Sequence, residues 1–228
     1  HQPASTCPGN KTKEEDPMSQ TEEKKYVPYG SCCAGSCGAK GNLTGCRFSL
    51  SPMTDRYVEI ILEAICKVHA GKVWQTTDKL STVYRGKRAH VLDTWKACFV
   101  HAWREGVHMT MEATISKGCP GDTDADSYLA EDDELLNEPE IQDIHFPVSC
   151  KISLYPMGVE NYMEYIAKAV NLSIDMGVYE KSAHYVTILE GDVQDLFRYF
   201  KAATASLEQE LKHYILEVTL SVNSPTEE

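Results

Sequence analysis

The feature that most constrains this chain is that it contains the same pattern twice. Cys46-Arg-Phe-Ser-Leu-Ser-Pro-Met53 returns as Cys150-Lys-Ile-Ser-Leu-Tyr-Pro-Met157, with Cys, Ser, Leu, Pro and Met in register. After a one-residue insertion the match runs on without a gap: Val73-Trp74 meets Val178-Tyr179, Thr82 meets Thr187, Gly86 meets Gly191 and Lys96-Ala97 meets Lys201-Ala202. His108 then meets His213, Glu112 meets Glu217, Thr114 meets Thr219, Ser116 meets Ser221 and Pro120 meets Pro225. Self-similarity at this length means one fold unit used twice, because each copy must satisfy the same burial pattern with the same spacing.

Within each copy the patterns follow one order. Cys46 to Leu50 alternates and stops at Pro52, as a strand does. Tyr57 to Val68 has apolar residues at helical spacing behind Thr54 and Asp55, and Tyr162 to Val170 repeats this. Val73 to Thr77 and Leu80 to Tyr84 read as a hairpin. Val91 to Trp103 and Val193 to Leu211 read as second helices with Phe, Leu and Ala on one stripe. Val107 to Ser116 and Tyr214 to Val222 alternate again. The expected fold class is α+β, with two tandem ferredoxin-like βαββαβ repeats built on antiparallel sheets and a Cys-rich N-terminal extension before them. The boundaries are 1–44 for the extension, 45–121 for the first repeat, 122–146 for an acidic linker and 147–228 for the second repeat.

The linker carries ten acidic residues between Gly121 and Asp143 and no Lys or Arg, so a solvated connection is expected. Asp122-x-Asp124-x-Asp126 resembles the start of a calcium loop, but Ser127 stands where the sharp turn needs Gly and Asp133 where the bidentate Glu belongs. Cys32-Cys33-x-x-x-Cys37 lacks a second pair at zinc spacing, so no metal and no cofactor is expected. The net charge of −12 argues against nucleic acid as a partner, because phosphate binding needs clustered Lys and Arg. No run of eighteen apolar residues is present, which excludes a spanning helix.

Compartment is read from two signals. Asn10, Asn42 and Asn171 lie in N-x-S/T sequons, and nine Cys are present, with Cys7, Cys32, Cys33, Cys37 and Cys46 crowded near the start. A secreted, disulfide-containing glycoprotein is expected, with a cytoplasmic protein as the alternative. Cys66 and Cys98 fall on the two helices of the first copy and are expected to bond or pack together.

Phe48-Ser-Leu-Ser-Pro-Met-Thr-Asp55, Val73-Trp74, Thr77-Asp78, Leu80-Ser-Thr-Val83, Arg85-Gly86, Gly118-Cys-Pro-Gly-Asp-Thr123, Leu154-Tyr-Pro-Met157, His184-Tyr185 and Asn223-Ser-Pro225 resemble the YkoF family. The similarity covers roughly residues 45 to 225. It implies tandem ferredoxin-like repeats, commonly in a homodimer, with a site in each repeat for thiamine or its hydroxymethylpyrimidine (HMP) moiety. Two departures limit it: the Cys-rich segment has no counterpart, and Tyr155 stands where the first copy has Ser51.

An aminopyrimidine needs one or two fixed polar groups between apolar walls. In the first copy Trp74 is a candidate to stack and Asp78 to accept from the amine, with Ser49, Thr77, Ser81 and Thr82 completing the hydrogen bonds. The second copy offers Ser153, Tyr179, Ser182, His184, Tyr185 and Thr187. Met53 and Met157 are expected to fill core gaps, and His108 and His213 to be structural. No Gly-rich phosphate loop, G-x-S-x-G or H-E-x-x-H is present, so a binding protein is expected rather than an enzyme. The alternative is a secreted glycoprotein that reuses the pocket for another planar or cationic metabolite or for protein interaction.

Overall fold

The computed structural model describes residues 42–118 and 123–226. The first copy runs β1 (Thr44–Pro52), α1 (Tyr57–Lys67), β2 (Trp74–Thr77), β3 (Thr82–Gly86), α2 (Arg88–Ala102) and β4 (Met109–Lys117). The second runs β5 (Pro147–Pro156), α4 (Tyr162–Asp175), β6 (Tyr179–Ala183), β7 (Val186–Asp192), α5 (Val193–Glu210) and β8 (Tyr214–Val222). A 3₁₀ turn (Thr123–Ala130) and the short α3 (Glu138–Ile141) lie between them. Each copy is β-α-β-β-α-β, as the repeat predicts.

The two copies do not keep separate sheets. All strands join one eight-stranded antiparallel sheet in the order β2-β3-β1-β4-β8-β5-β7-β6. The seam is β4 against β8, paired over their full length, and Ala113 lies directly opposite its own equivalent Val218. A pseudo-two-fold axis therefore passes between these residues. Each final strand would otherwise present a long unpaired edge, and pairing the two edges satisfies both.

Alternation sets the faces. Met109, Met111, Ala113 and Ile115 of β4 and Tyr214, Leu216, Val218 and Leu220 of β8 are buried toward the helices. Thr110, Glu112, Thr114 and Ser116, with Ile215, Glu217, Thr219 and Ser221, form the opposite, mostly polar face. Across the axis Trp95 of α2 meets Phe197 at 4.8 Å and its own equivalent, Phe200, at 5.5 Å between ring centroids. One apolar core thus runs through both copies.

The segment from 123 to 146 is not a solvated linker. Ala125, Asn137, Ile141 and Phe146 are buried, and the segment lies as a strap along α2. Asp93 accepts from the Asn137 backbone N–H (3.0 Å), the Asn137 amide (2.9 Å) and the Glu138 N–H (2.9 Å). Lys96 donates to both Glu138 oxygens at 2.9 and 2.8 Å, Lys72 pairs with Asp132, and Lys87 reaches the Glu131 carbonyl and Asp133. Asp132, Asp133 and Glu138 of the acidic run thus pair with Lys72, Lys87 and Lys96 of the first copy. Consequently α2 is buried on nearly every side, including His90, Asp93, Thr94 and Lys96, where a one-sided apolar stripe was expected.

Smaller differences have local causes. β3 begins at Thr82 rather than Leu80, because Asp78 Oδ1 accepts from the N–H groups of Leu80 and Ser81 and closes a tight turn over those residues. α4 continues to Asp175, past the expected Val170. Met53 and Met157 are exposed rather than core residues. The calcium-like run and the zinc-like Cys32-Cys33-x-x-x-Cys37 lie wholly or partly outside the described residues; among those described, no group of three His, Cys, Asp or Glu is placed to hold a metal ion. No helix among them is long and apolar enough to cross a membrane.

Gly118, just after β4, has φ +84°, and a Cβ added there would lie 2.2 Å from the Lys212 carbonyl oxygen. Backbone is the obstacle, so no rotamer change relieves it. Gly118→Ala is expected to cost about 2–4 kcal/mol, read as a lowered urea midpoint at unchanged slope.

Candidate functional site: two pockets at equivalent positions

A pocket of about 220 Å³ opens in the first copy between α1 and the β1-β3-β2 edge of the sheet. A pocket of about 460 Å³ opens in the second between α4 and β5-β7. Their walls come from the same positions of the repeat. Phe48, Leu50, Ile61, Ala64 and Ile65 in the first correspond to Ile152, Leu154, Ile166, Ala169 and Val170 in the second, and Ser49, Leu80, Ser81 and Thr82 correspond to Ser153, Tyr185, Val186 and Thr187. The apolar walls follow from amphipathicity: the helix turns its stripe toward the sheet, and the sheet's inward side chains stop short near the hairpin.

In the first pocket Ser49, Thr77, Asp78, Ser81 and Thr82 are brought together as expected. Thr77 and Thr82 sit across β2 and β3 with their hydroxyl oxygens 2.9 Å apart. Asp78 is occupied by the turn, and its second oxygen accepts from Arg47 at 3.1 Å. The Leu80 N–H, the Arg47 guanidinium and the Ser81 N–H hold its carboxyl below the ordinary carboxylate range. It is therefore a fixed anion at the rim. Ser49 pairs with Glu112 on the polar sheet face, so it borders both the pocket and the trough on that face.

Trp74 is corrected. It alternates with Gln75, which lines the pocket, and its ring instead lies under the Arg85 guanidinium at 5.8 Å. In the second copy Ser153, Tyr185 and Thr187 line the pocket, while Tyr179, Ser182 and His184 do not. The Tyr179 hydroxyl is 3.2 Å from Ser182 Oγ, and His184 packs near the Tyr185 ring. Ser153 Oγ donates to the Tyr185 carbonyl at 3.2 Å, supporting a turn in which Tyr185 has φ 69° and stands almost fully exposed.

The residue readings missed most apolar walls and, at the rim of the second pocket, aromatic Tyr155 and Tyr162 with Met157. A signal was available: Tyr57 and Tyr162 occupy equivalent positions at the starts of α1 and α4, as do Met53 and Met157 before them, and all four are exposed. Exposed apolar residues at both equivalents mark a surface with a task.

Two buried lining residues of the first pocket meet each other. The Tyr84 hydroxyl and Cys98 Sγ are 3.1 Å apart, both buried, with Cys46 adjacent. This corrects the Cys66–Cys98 expectation: Cys66 is an exposed free thiol, and Cys98 is a buried free thiol partnered by Tyr84. Cys46 and Cys150 are also free and buried, while Cys7, Cys32, Cys33 and Cys37 lie outside the described residues.

Burial pushes the Cys98 thiol up to about 12, moves Cys46 and Cys150 upward as well, and raises the phenols of Tyr84, Tyr199 and Tyr214. In the unfolded chain such thiols ionise near 9.0. The unfolded state therefore loses protons first, and stability present below pH 9 is expected to decline as pH rises toward 12. Urea midpoints at stepped alkaline pH check this; a flat profile to pH 11 contradicts it.

The fold and site define a class: a tandem ferredoxin-like protein with one small-molecule-sized pocket per repeat. The YKOF-related Family model matches residues 43–122 and again 147–227, and the chain belongs to that family. It is 40% identical over 190 residues to a protein of Bacillus subtilis (strain 168) provisionally named HMP/thiamine-binding protein YkoF, covering 83% of this chain and 94% of that relative.

Proposed function

We propose that this chain is a non-enzymatic binder of thiamine or its HMP moiety, one ligand per repeat. The observation that carries it is the pair of pockets walled by equivalent residues, in a chain 40% identical to a relative named for that ligand. The chemistry suits it. The first pocket sets Thr77, Thr82 and the Asp78 rim beside apolar Phe48, Leu50 and Ile61, as a planar heterocycle with a polar edge requires. The second surrounds its mouth with Tyr155, Tyr162 and Tyr185, whose ring faces favour a thiazolium cation. A chain of net charge −12 adds a weak general attraction for cations.

Calorimetric titration of the full chain with thiamine and with HMP tests this. Ile65→Trp and Val170→Trp, at equivalent half-exposed wall positions, are each expected to remove one of two binding steps. No heat and no thermal shift with either compound sinks the vitamin ligand. Binding of another planar or cationic metabolite at the same two positions would then establish the alternative, which the wider, more aromatic second pocket favours.

A homodimer is part of the same proposal, supported by the family resemblance and checked by light scattering. The secreted glycoprotein proposal draws support from Asn42 and Asn171, both exposed; Asn10 lies outside the described residues. Against it stand four free thiols among the described residues and the buried hydroxyl of Ser173, which completes the Asn171 sequon and donates to the Val170 carbonyl. Protein mass before and after deglycosylation and reduction decides the matter.

A further inference from the structure

The two pockets share walls but not depths. Tyr84 and Cys98 line the first pocket, whereas their equivalents in the second copy, Leu189 and Ala203, do not line the second. All four are buried. The polar pair is thus present in one copy and absent from the other, against a background of matched neighbours.

The hydrogens of that pair do not balance. A phenol and a thiol each carry one, and in a single O–H···S or S–H···O contact only one of them is used. The pair makes one such contact, at 3.1 Å, and among the described residues no other side-chain hydrogen bond involves Cys98. Neither group ionises in the neutral range, because burial raises both. One hydrogen, facing a cavity, is therefore left to donate, and a buried donor without an acceptor is costly. Cys46 lies beside Cys98 but does not line the pocket.

We infer that Tyr84 and Cys98 are specificity-determining residues of the first pocket, donating a hydrogen bond to a ring nitrogen of a bound aminopyrimidine. The second pocket lacks this pair and holds its ligand mainly through apolar and aromatic contact, with the Ser153 and Thr187 hydroxyls on its wall. This rests on the ligand class proposed above. It makes the first pocket selective for a heterocycle with an acceptor nitrogen on its buried edge, and the second tolerant of planar or cationic rings without one.

Calorimetry with HMP on the full chain tests it, using Tyr84→Phe, Cys98→Ala, their double variant and Cys98→Ser. One hydrogen bond is worth about tenfold in affinity. The double variant Tyr84→Phe/Cys98→Ala, which removes both hydrogens, is expected to weaken the tighter of two binding steps by about that factor, whereas either single variant leaves one hydrogen to donate and weakens it less. Cys98→Ser, which keeps a donor, retains it, and the weaker step is unmoved. A tighter step unchanged in the double variant, or a loss confined to the weaker step, overturns the assignment while leaving HMP binding intact. Absence of any HMP binding by the wild-type chain overturns both this and the ligand class. Where a variant fails to fold by circular dichroism, the wild-type protein decides: HMP must slow alkylation of Cys98, read by peptide mass, by more than it slows that of buried Cys150, which lines neither pocket. No protection of Cys98 overturns the inference.

Discussion

Asp93→Ala is expected to destabilise the protein by about 3–5 kcal/mol, because it removes the one carboxylate that accepts three hydrogen bonds from the strap. Asp93 is 5% exposed, and its loss strands the Asn137 N–H, the Asn137 amide and the Glu138 N–H in a buried site. Asn137 also bridges to the end of α1, donating to the His69 carbonyl at 3.0 Å and accepting from the His69 N–H at 2.8 Å. The damage should therefore spread to the α1–α2 contact. Urea unfolding measures the cost, and hydrogen exchange should show the strap losing protection before the sheet. An Asn at position 93, which keeps one acceptor oxygen, should lose less. A cost below about 1 kcal/mol for the Ala variant would mean that the strap contributes little to holding α2.

Trp95→Ala is expected to cost a similar amount, about 3–5 kcal/mol, for a different reason. Its indole is fully buried beside the pseudo-two-fold axis, against Phe197 and Phe200 of the second copy, so truncation opens a cavity lined by both copies. Its N–H makes no hydrogen bond among the described residues. Trp95→Phe keeps much of the packing and discards that unsatisfied donor, so it should cost far less than Ala. Differential scanning calorimetry separates the two. Equal losses for Phe and Ala would contradict the packing account, since the smaller void left by Phe would then bring no gain.

These two sites differ in how visible they were beforehand. Trp95 stands on an apolar stripe and reads as core at sight. Asp93 reads as a solvent-facing carboxylate, because no local pattern announces that an acidic segment forty-odd residues later will cover it. The same holds for Lys96 and His90. Charge complementarity between the Lys-free strap and the Lys residues of the first copy was present in the residues, but only three-dimensional proximity makes it an interaction.

The pocket divides along the same line. Thr77, Asp78, Ser81 and Thr82 were legible because hairpin residues of the right chemistry recur near one another. Trp74 was misplaced because a single step along a strand sends a side chain to the other face, and the register that decides which face is set by pairing with β3. Tyr84 and Cys98 were missed because one lies beyond the hairpin and the other on the second helix, and only packing of α2 against the sheet brings them to one spot.

By itself the sequence determined the repeat, the βαββαβ order, the alternation that assigns sheet faces and the equivalence of the two pockets, since these depend on short-range periodicity and on comparison of the chain with itself. The tertiary structure decided the merging of two sheets into one, the closure of the strap over α2, and which residues face each cavity. Those depend on edge pairing and on side chains far apart in the chain meeting in a low-dielectric interior, where an unpaired donor or carboxylate is costly enough to choose between otherwise equivalent arrangements.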